Sequence, residues 1–145
     1  MFSKQVMWIA FVFGLALPLS AQTEMQPKAL CEQAFTIPAH SAKTCAFIVP
    51  EGHVAKLEGH FQATGGPRNT IEVWVMDDDA YVNWENHHAS RALYNSQKAT
   101  VGTVRLVLRP GKYHVAFDNL FSIMTPKAIE ANFALEFKTL TAGVN

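Results

Sequence analysis

Apolar and polar side chains alternate along two stretches near the end of the chain, between Arg109 and Phe137. Successive side chains of a β-strand point to opposite faces, so this alternation predicts two strands with one face on a core and the other in water. Pro110-Gly111 precedes the first strand as a turn signal, and a polar hinge separates it from the second. The pattern is typical of an antiparallel β-sandwich.

The same alternation recurs upstream, with turn residues between the runs. About six or seven short strands of this kind predict an all-β protein, a jelly-roll-like antiparallel β-sandwich with one short helical insertion. The predicted inward-facing rows are Phe35 and Ile37; Cys45, Phe47 and Val49; Ala55, Leu57, Gly59, Phe61 and Ala63; Ile71, Val73 and Val75; Val104, Leu106 and Leu108; Tyr113, Val115 and Phe117; and Ile129, Ala131, Phe133, Leu135 and Phe137.

The insertion is residues 77–96, which lack the two-residue period. Three acidic residues open it, which suits the positive end of a helix, and Asp is also a favourable helix cap. Tyr81, Trp84 and His88 fall on one helical stripe. We therefore predict one short helix in this insertion, with Gly102 in the connection to the next strand.

The first residues have the parts of a secretory signal peptide. Lys4 is followed by an apolar run over residues 6–17, and a small residue, Ala21, ends the segment. The run has 12 residues, whereas a membrane span needs roughly 20. We predict cleavage near Ala21–Gln22. An uncleaved anchor is the alternative, because Leu19 is not the small residue that cleavage sites prefer.

Three segments follow from this cleavage: a signal peptide at 1–21, a single β-sandwich domain at 22–138 and a flexible tail at 139–145. Cleavage would remove Lys4 and leave 11 basic and 12 acidic residues, a net charge of −1 with neutral histidines. A nucleic-acid groove would need a basic stripe. The chain also has no Lys or Arg cluster that would indicate an anionic membrane partner. We predict a secreted or periplasmic protein without nucleic-acid binding or stable membrane insertion.

Cys31 and Cys45 both lie in the predicted mature chain. An even number of cysteines in an oxidising compartment favours a disulfide. This bridge would tie the N-terminal segment to the first strong strand. A redox or metal-binding pair is the alternative, although the spacing is not C-x-x-C and no His or Cys lies beside either thiol.

Aromatic side chains provide the candidate binding residues. Trp74 lies on the outward face of its predicted strand, where an aromatic ring can serve as a sugar platform or a contact for a protein partner. The alternative is that the helical insertion folds back and covers this ring. The candidate binding residues are Trp74, Tyr81, Trp84, His87, His88 and Tyr94.

His87 and His88, near the acidic residues 77–79, are the best candidates for metal ligands. Asn83 and His87 have the spacing of neighbours on one helix face. Adjacent histidines on a helix point about 100° apart, however. The acidic run also lacks the spacing of a calcium loop. We predict no metal site and no cofactor.

Catalytic patterns are not apparent in the sequence. There is no G-x-S-x-G motif for a nucleophilic serine. Glu58, Glu72, Glu130 and Glu136 fall on outward strand positions, so we expect them in solvent rather than paired across a cleft. We predict that the protein is not an enzyme and has no catalytic residue.

Residues 112–137 carry a set of features in a fixed order: a Gly111-Lys112-Tyr113 strand start, a Phe117-Asp118-Asn119 strand end, then Phe121-Ser122, and Lys127 before the last strand. In this order they resemble the closing half of a GOLD domain, the Golgi-dynamics β-sandwich. Residues 54–61 and 71–75 resemble two earlier strands of that family. The resemblance covers residues 44–137.

The resemblance also has departures. The transmembrane cargo receptors of the GOLD family have one cysteine where Cys45 lies and its partner where Ala116 lies, so that bridge cannot form here and Cys31 is the remaining partner. Neither a coiled coil nor a C-terminal membrane span follows the domain. The resemblance implies action through protein or lipid contacts rather than catalysis, in a bacterial secreted branch.

Together these observations predict a non-enzymatic binding or protein-interaction module with an unknown protein or glycan partner. A carbohydrate-binding module that uses Trp74 is the first alternative. A metal-dependent hydrolase that uses His87, His88 and the nearby acids is the second. In a GOLD-like sandwich, Asp118 and Asn119 are expected to hold the turn after their strand through hydrogen bonds from side chain to backbone.

Overall fold

A computed structural model of the chain describes residues 27–140, which form two antiparallel β-sheets packed face to face with one short helix. The predicted all-β sandwich is thus confirmed. The elements are β1 (Lys28–Leu30), β2 (Ala34–Ile37), β3 (Ala42–Val49), β4 (His53–Thr64), β5 (Ile71–Asp77), α1 (Asp78–Glu85), β6 (Tyr94–Ala99), β7 (Val101–Leu108), β8 (Gly111–Asp118) and β9 (Lys127–Thr139).

The two sheets share the strands almost equally. The first sheet has the order β1-β9-β4-β7, with β2 also paired to β9 beyond β1. The second sheet has the order β3-β8-β5-β6. From β6 onward the chain alternates between the two sheets, so each of these strands crosses the sandwich before it pairs. Strands β8 and β9, which come from the most regular stretch of the sequence, are interior strands of their sheets.

The core lies between the sheets and consists of the predicted inward rows. Every odd-numbered residue of β4 from Ala55 to Ala63 is buried, as are Ile71, Val73 and Val75 of β5. The rings of Phe117 and Phe133 meet edge to face with their centroids 5.7 Å apart. The alternation therefore predicted the inner faces correctly, although Phe35, Cys45, Leu106 and Phe137 are only partly buried.

Gly102 lies within β7 and not in the connection before it, so its predicted position was wrong. A Cβ at this position would overlap the ring of Phe61, which fills the space above the glycine. Gly59 on β4 makes the same kind of space for the ring of Phe133. Each glycine therefore makes room for a large aromatic ring in the core.

The insertion contains a shorter helix than predicted. Helix α1 ends at Glu85, and residues 94–99 form β6, an edge strand paired with β5. The pairing register of β5 with β6 shifts between Glu72 and Trp74 of β5. At this point the hydroxyl of Ser96 accepts the hydrogen bond from the backbone N–H of Val73 at 2.8 Å. β6 is therefore an irregular edge strand, and its sequence lacks the alternation of apolar and polar residues that predicts a strand.

Cys31 and Cys45 form the predicted disulfide, with their Cα atoms 5.6 Å apart. Cys31 follows β1 of the first sheet, whereas Cys45 lies on β3 of the second sheet. The bridge therefore links the two sheets along one side of the sandwich.

The predicted signal peptide at residues 1–21 lies outside the described residues, as do residues 141–145 of the predicted tail. Thr139, placed in the tail by the sequence, is the last residue of β9 and pairs with His53. Within residues 27–140, no helix has the length and apolar character needed to cross a membrane.

Replacing both cysteines, by Cys31→Ser and Cys45→Ser, is expected to lower the free energy of unfolding by about 3 kcal/mol, because the bridge closes a loop of about 15 residues. Urea denaturation of the oxidised protein and of the double variant measures the difference. The wild type under reducing conditions should match the variant. An unchanged midpoint in both would contradict a stabilising bridge.

Candidate functional site

Helix α1 lies on the outer face of the second sheet and forms a small second core there. Met76, Ala80 and Ala116 are its buried members. Trp74, Tyr81, Trp84 and Ala92 pack against them and stay partly exposed. The outer face of β5 and β8 is therefore covered by the helix.

Both ends of α1 are defined by local hydrogen bonds. The carboxylate of Asp77 accepts a hydrogen bond from the backbone N–H of Ala80 at 2.8 Å and caps the first turn, in line with the predicted Asp cap. At the other end, the backbone N–H of His87 donates to the carbonyl of Trp84, and the backbone N–H of His88 donates to the carbonyl of Asn83. This pair of bonds is the Schellman arrangement, which needs a left-handed residue at His87. Its φ is 58°.

An ion-pair cluster fixes the start of the helix to the sheet. One carboxylate oxygen of Asp78 lies 2.7 Å from His114 Nε2 and 2.9 Å from Lys112 Nζ. Hydrogen bonds from His114 and then Lys112 lower the pKa of Asp78. The imidazole of His114 is buried and stacks on the ring of Tyr81, with centroids 3.8 Å apart and planes 6° from parallel. Tyr81 is thereby held in one orientation.

A cleft of about 320 Å³ opens between the end of α1 and the start of β3. The rings of Tyr81 and Trp84 stack with centroids 5.9 Å apart, and the Tyr81 hydroxyl donates to Glu85 at 3.2 Å. The cleft thus combines an aromatic wall with a carboxylate, an imidazole and a hydroxyl. The lining residues are Ala42, Thr44, Tyr81, Trp84, Glu85, His87 and Leu120.

Asp118 and Asn119 lie beside this cleft, at the end of β8. One oxygen of Asp118 accepts a hydrogen bond from the N–H of Leu120 at 2.7 Å, and burial raises the pKa of its carboxyl. The amide of Asn119 donates to the carbonyls of Pro38 and Thr125, each at 3.0 Å. Both side chains therefore bond to the backbone of the turn, as the sequence analysis expected.

The structure brings three of the six candidate binding residues together, namely Tyr81, Trp84 and His87. Trp74 is half-buried beneath the helix, and its indole Nε1 is buried without a hydrogen-bond acceptor among residues 27–140. His88 lies beyond the end of α1, so the predicted stripe with Tyr81 and Trp84 does not extend to it.

Tyr94 differs most from its predicted place. It lies on β6 rather than on a helix, and its side chain packs against the core between the sheets. Burial raises the pKa of its hydroxyl. Tyr94 therefore contributes to the interior and not to an outer aromatic surface.

The sequence analysis did not identify four of the lining residues, namely Ala42, Thr44, Glu85 and Leu120. Glu85 lies four residues after Tyr81, so helical spacing could have paired the two. Thr44 and Leu120 come from β3 and from the segment after β8, and only the pairing of those strands brings them to the helix. No local signal in the sequence marks either one.

A second cleft, of about 420 Å³, lies between edge strands β1 and β3. Its walls are mainly apolar and include Leu30, Phe47 and Leu135. Lys28 and Lys112 also border it, but the ammonium group of Lys112 is already bound to Asp78. This cleft therefore offers fewer free polar groups to orient a ligand than the cleft at α1.

The histidines and acids of the insertion do not come together as a metal-binding group. Within the described part of the chain, no group of three or more His, Cys, Asp or Glu side chains is placed to hold a metal ion. His87 and Glu85 are the only members of these residue types that line the cleft.

Comparison with known proteins adds no family. No protein-family model matches the chain, and no curated protein matches it.

His87→Gly is expected to raise the free energy of unfolding by about 0.5–1 kcal/mol, because glycine adopts the left-handed conformation without the cost that a Cβ imposes. The same change removes the imidazole from the cleft. Thermal or urea denaturation measures the stability. His88→Gly, next to it but outside the left-handed region, is the control and should not stabilise the protein. A loss of stability in His87→Gly would contradict the proposed strain.

Proposed function

We propose that this protein is a non-enzymatic binding module that recognises a protein partner through the cleft between α1 and β3. The observation that carries the proposal is the convergence of Tyr81, Trp84, Glu85 and His87 on one cleft. Tyr and Trp are enriched among the residues that dominate protein interfaces. The cleft has the volume of a small ligand site, and such sites begin at about 300 Å³. It therefore suits one side chain of a partner rather than a large ligand.

The chemistry of the cleft favours a cationic side chain. Aromatic faces attract ammonium and guanidinium groups, and the carboxylate of Glu85 lies beside the rings of Tyr81 and Trp84. The hydrogen bond from the Tyr81 hydroxyl occupies one side of that carboxylate and orients it. An Arg or Lys of the partner could then stack on a ring and pair with Glu85.

We place this activity outside the cytoplasm, in a secreted or periplasmic protein. The disulfide between Cys31 and Cys45 supports this location, because such bridges persist in oxidising compartments. The predicted signal peptide agrees with it. The resemblance to GOLD domains, which implies action through contacts rather than catalysis, supports the non-enzymatic part of the proposal.

Trp84→Ala should abolish capture of the partner, because the variant removes half of the aromatic wall of the cleft. The measurement is affinity capture from the extracytoplasmic fraction of the source cells, with bound proteins identified by mass spectrometry. Glu85→Gln should weaken capture and make it less sensitive to salt.

Val107→Ala is the control for this experiment, because Val107 is 75% exposed on β7 in the first sheet, away from the cleft. It should capture the same partner as the wild type. If Trp84→Ala and Glu85→Gln both capture the partner as well as Val107→Ala does, the cleft is not the binding surface.

A carbohydrate ligand is the second candidate, on a different basis from the one that the sequence suggested. Trp74 is half-buried, but Trp84 and Tyr81 present rings in a cleft that also holds a carboxylate, an imidazole and a hydroxyl. Sugars are recognised by such a combination of stacking and hydrogen bonds. The hydrolase hypothesis gains no such support, because the described residues provide no group suited to a metal ion.

A glycan array distinguishes this second candidate. Binding that is present in the wild type, absent in Trp84→Ala and retained in Val107→Ala would assign the cleft to a sugar. An array without any signal for the wild type would remove the carbohydrate candidate and leave the protein partner.

A further inference from the structure

Four connections meet at the end of the sandwich where β8 ends and β9 begins. They are residues 38–41, residues 65–70, Thr100 and residues 119–126. The strand register places them together, because Ala42 pairs with Asp118, Thr64 with Ala128 and Gln62 with Val101. We call this set of connections the distal end.

The longest of these connections, residues 119–126, is held from within by hydrogen bonds. The N–H of Ser122 donates to the carbonyl of Asn119 at 3.1 Å, and the hydroxyl of Ser122 donates to the carbonyl of Thr125 at 2.9 Å. The N–H of His40 donates to the carbonyl of Ser122 at 3.0 Å and joins the loop to its neighbour. These bonds fix the loop at its base.

The tip of the same loop is apolar and projects into solvent. Ile123 is 75% exposed and Met124 is 86% exposed. Leu120 is also exposed, and Pro126 follows. Because the hydrogen bonds beneath the tip fix its backbone, the exposure of these two side chains results from the fold of the loop. Neither residue lines either of the two clefts described above.

Basic residues lie around the tip, and the nearest acids lie on strands: Asp118 is buried at the end of β8, and Glu72, its partner on β5, is partly buried. None of the four connections contains Asp or Glu, whereas Arg68 lies in one of them. Lys98 places its ammonium group 4.4 Å from the ring centroid of Phe121 in the tip loop. Lys127, at the base, donates to the carbonyl of Gly65 at 2.7 Å. At the opposite end of the sandwich, by contrast, Glu51 lies in a connection, and the acidic residues 77–79 lie where β5 ends and α1 begins.

We propose that the distal end docks peripherally on a membrane surface, with Ile123 and Met124 entering the interface and Arg68 and Lys98 facing anionic headgroups. Exposed apolar side chains such as those of the tip gain free energy when they enter the boundary between headgroups and acyl chains. Each basic residue near an anionic surface adds to the attraction. Arg68 lies in a connection and Lys98 on β6, far apart in the sequence, so no cluster of basic residues is visible there.

A bilayer fits the distal end better than a folded protein partner does. A protein partner that buries large apolar side chains usually receives them in a pocket and surrounds them with complementary charge. A tip that is apolar and exposed, with no acid in the connections around it, matches a flat layer with anionic headgroups on an apolar interior. The proposed cleft at α1 borders the distal end at Leu120, but neither Ile123 nor Met124 lines that cleft, so variants of the tip and variants of the cleft test the two proposals separately.

The test is co-sedimentation of the mature chain with vesicles of phosphatidylcholine containing about one third phosphatidylglycerol. The double variant Ile123→Ser with Met124→Ser should reduce the partition coefficient at least about tenfold, because it removes the apolar insertion. Arg68→Ser should reduce it about fivefold on anionic vesicles. It should have little effect on vesicles of pure phosphatidylcholine.

The matched control is the double variant Ile48→Ser with Val107→Ser, which changes two exposed apolar residues near the opposite end. It should bind vesicles as the wild type does. Circular dichroism melts check that both double variants fold. Wild-type protein that stays in the supernatant with both kinds of vesicle would overturn the proposal, as would equal binding by the two double variants.

Discussion

Residues 113–118 of β8 are all buried, so this strand packs against other parts of the protein on both of its faces. Its inner side chains, Tyr113, Val115 and Phe117, enter the core between the sheets. On its outer face, Ala116 enters the small core beneath α1, and His114 stacks on Tyr81 of the helix. An antiparallel sheet commonly leaves one face in water. The second sheet departs from this rule only where α1 crosses it, and the cleft lies at the margin of that covered area.

The polar residues on the covered face determine where the helix can lie. A buried imidazole without a partner would cost free energy, and His114 meets this requirement through Asp78 at the start of α1. Lys112 binds the same carboxylate from a more exposed position. These contacts fix the first turn of the helix, and the Schellman bonds at His87 and His88 fix its end. The position of Trp84 and Glu85 on the cleft follows from these two fixed ends.

The sequence predicted those parts of the fold in which one face of a strand is buried and the other is not. The long alternation of β4 and β9 is of this kind, and the disulfide followed from the number of cysteines. The sequence did not predict β6. Its register shift and the hydrogen bond from the N–H of Val73 to the hydroxyl of Ser96 replace a regular ladder of backbone hydrogen bonds. The cleft could be predicted only in part: Tyr81, Trp84 and His87 are close in sequence, whereas Thr44 and Leu120 reach it through strand pairing that no local pattern encodes.

Departures from local backbone and hydrogen-bonding preferences are concentrated near the cleft and the distal end. Outside glycine, left-handed backbone occurs at His40, Asn69, His87 and Gln97, and within residues 27–140 only Cys31 at the disulfide lies apart from this region. The buried Asn119 Oδ1 has no partner among the described residues, and Asp118 is buried with a raised pKa. The connections at the opposite end reach positive φ only at glycines, Gly52 and Gly111. Such costs persist where the surrounding structure holds them, and they cluster at functional sites more often than elsewhere. Their location therefore supports assigning the binding surfaces to this end of the sandwich, independently of the aromatic and apolar side chains that first indicated them.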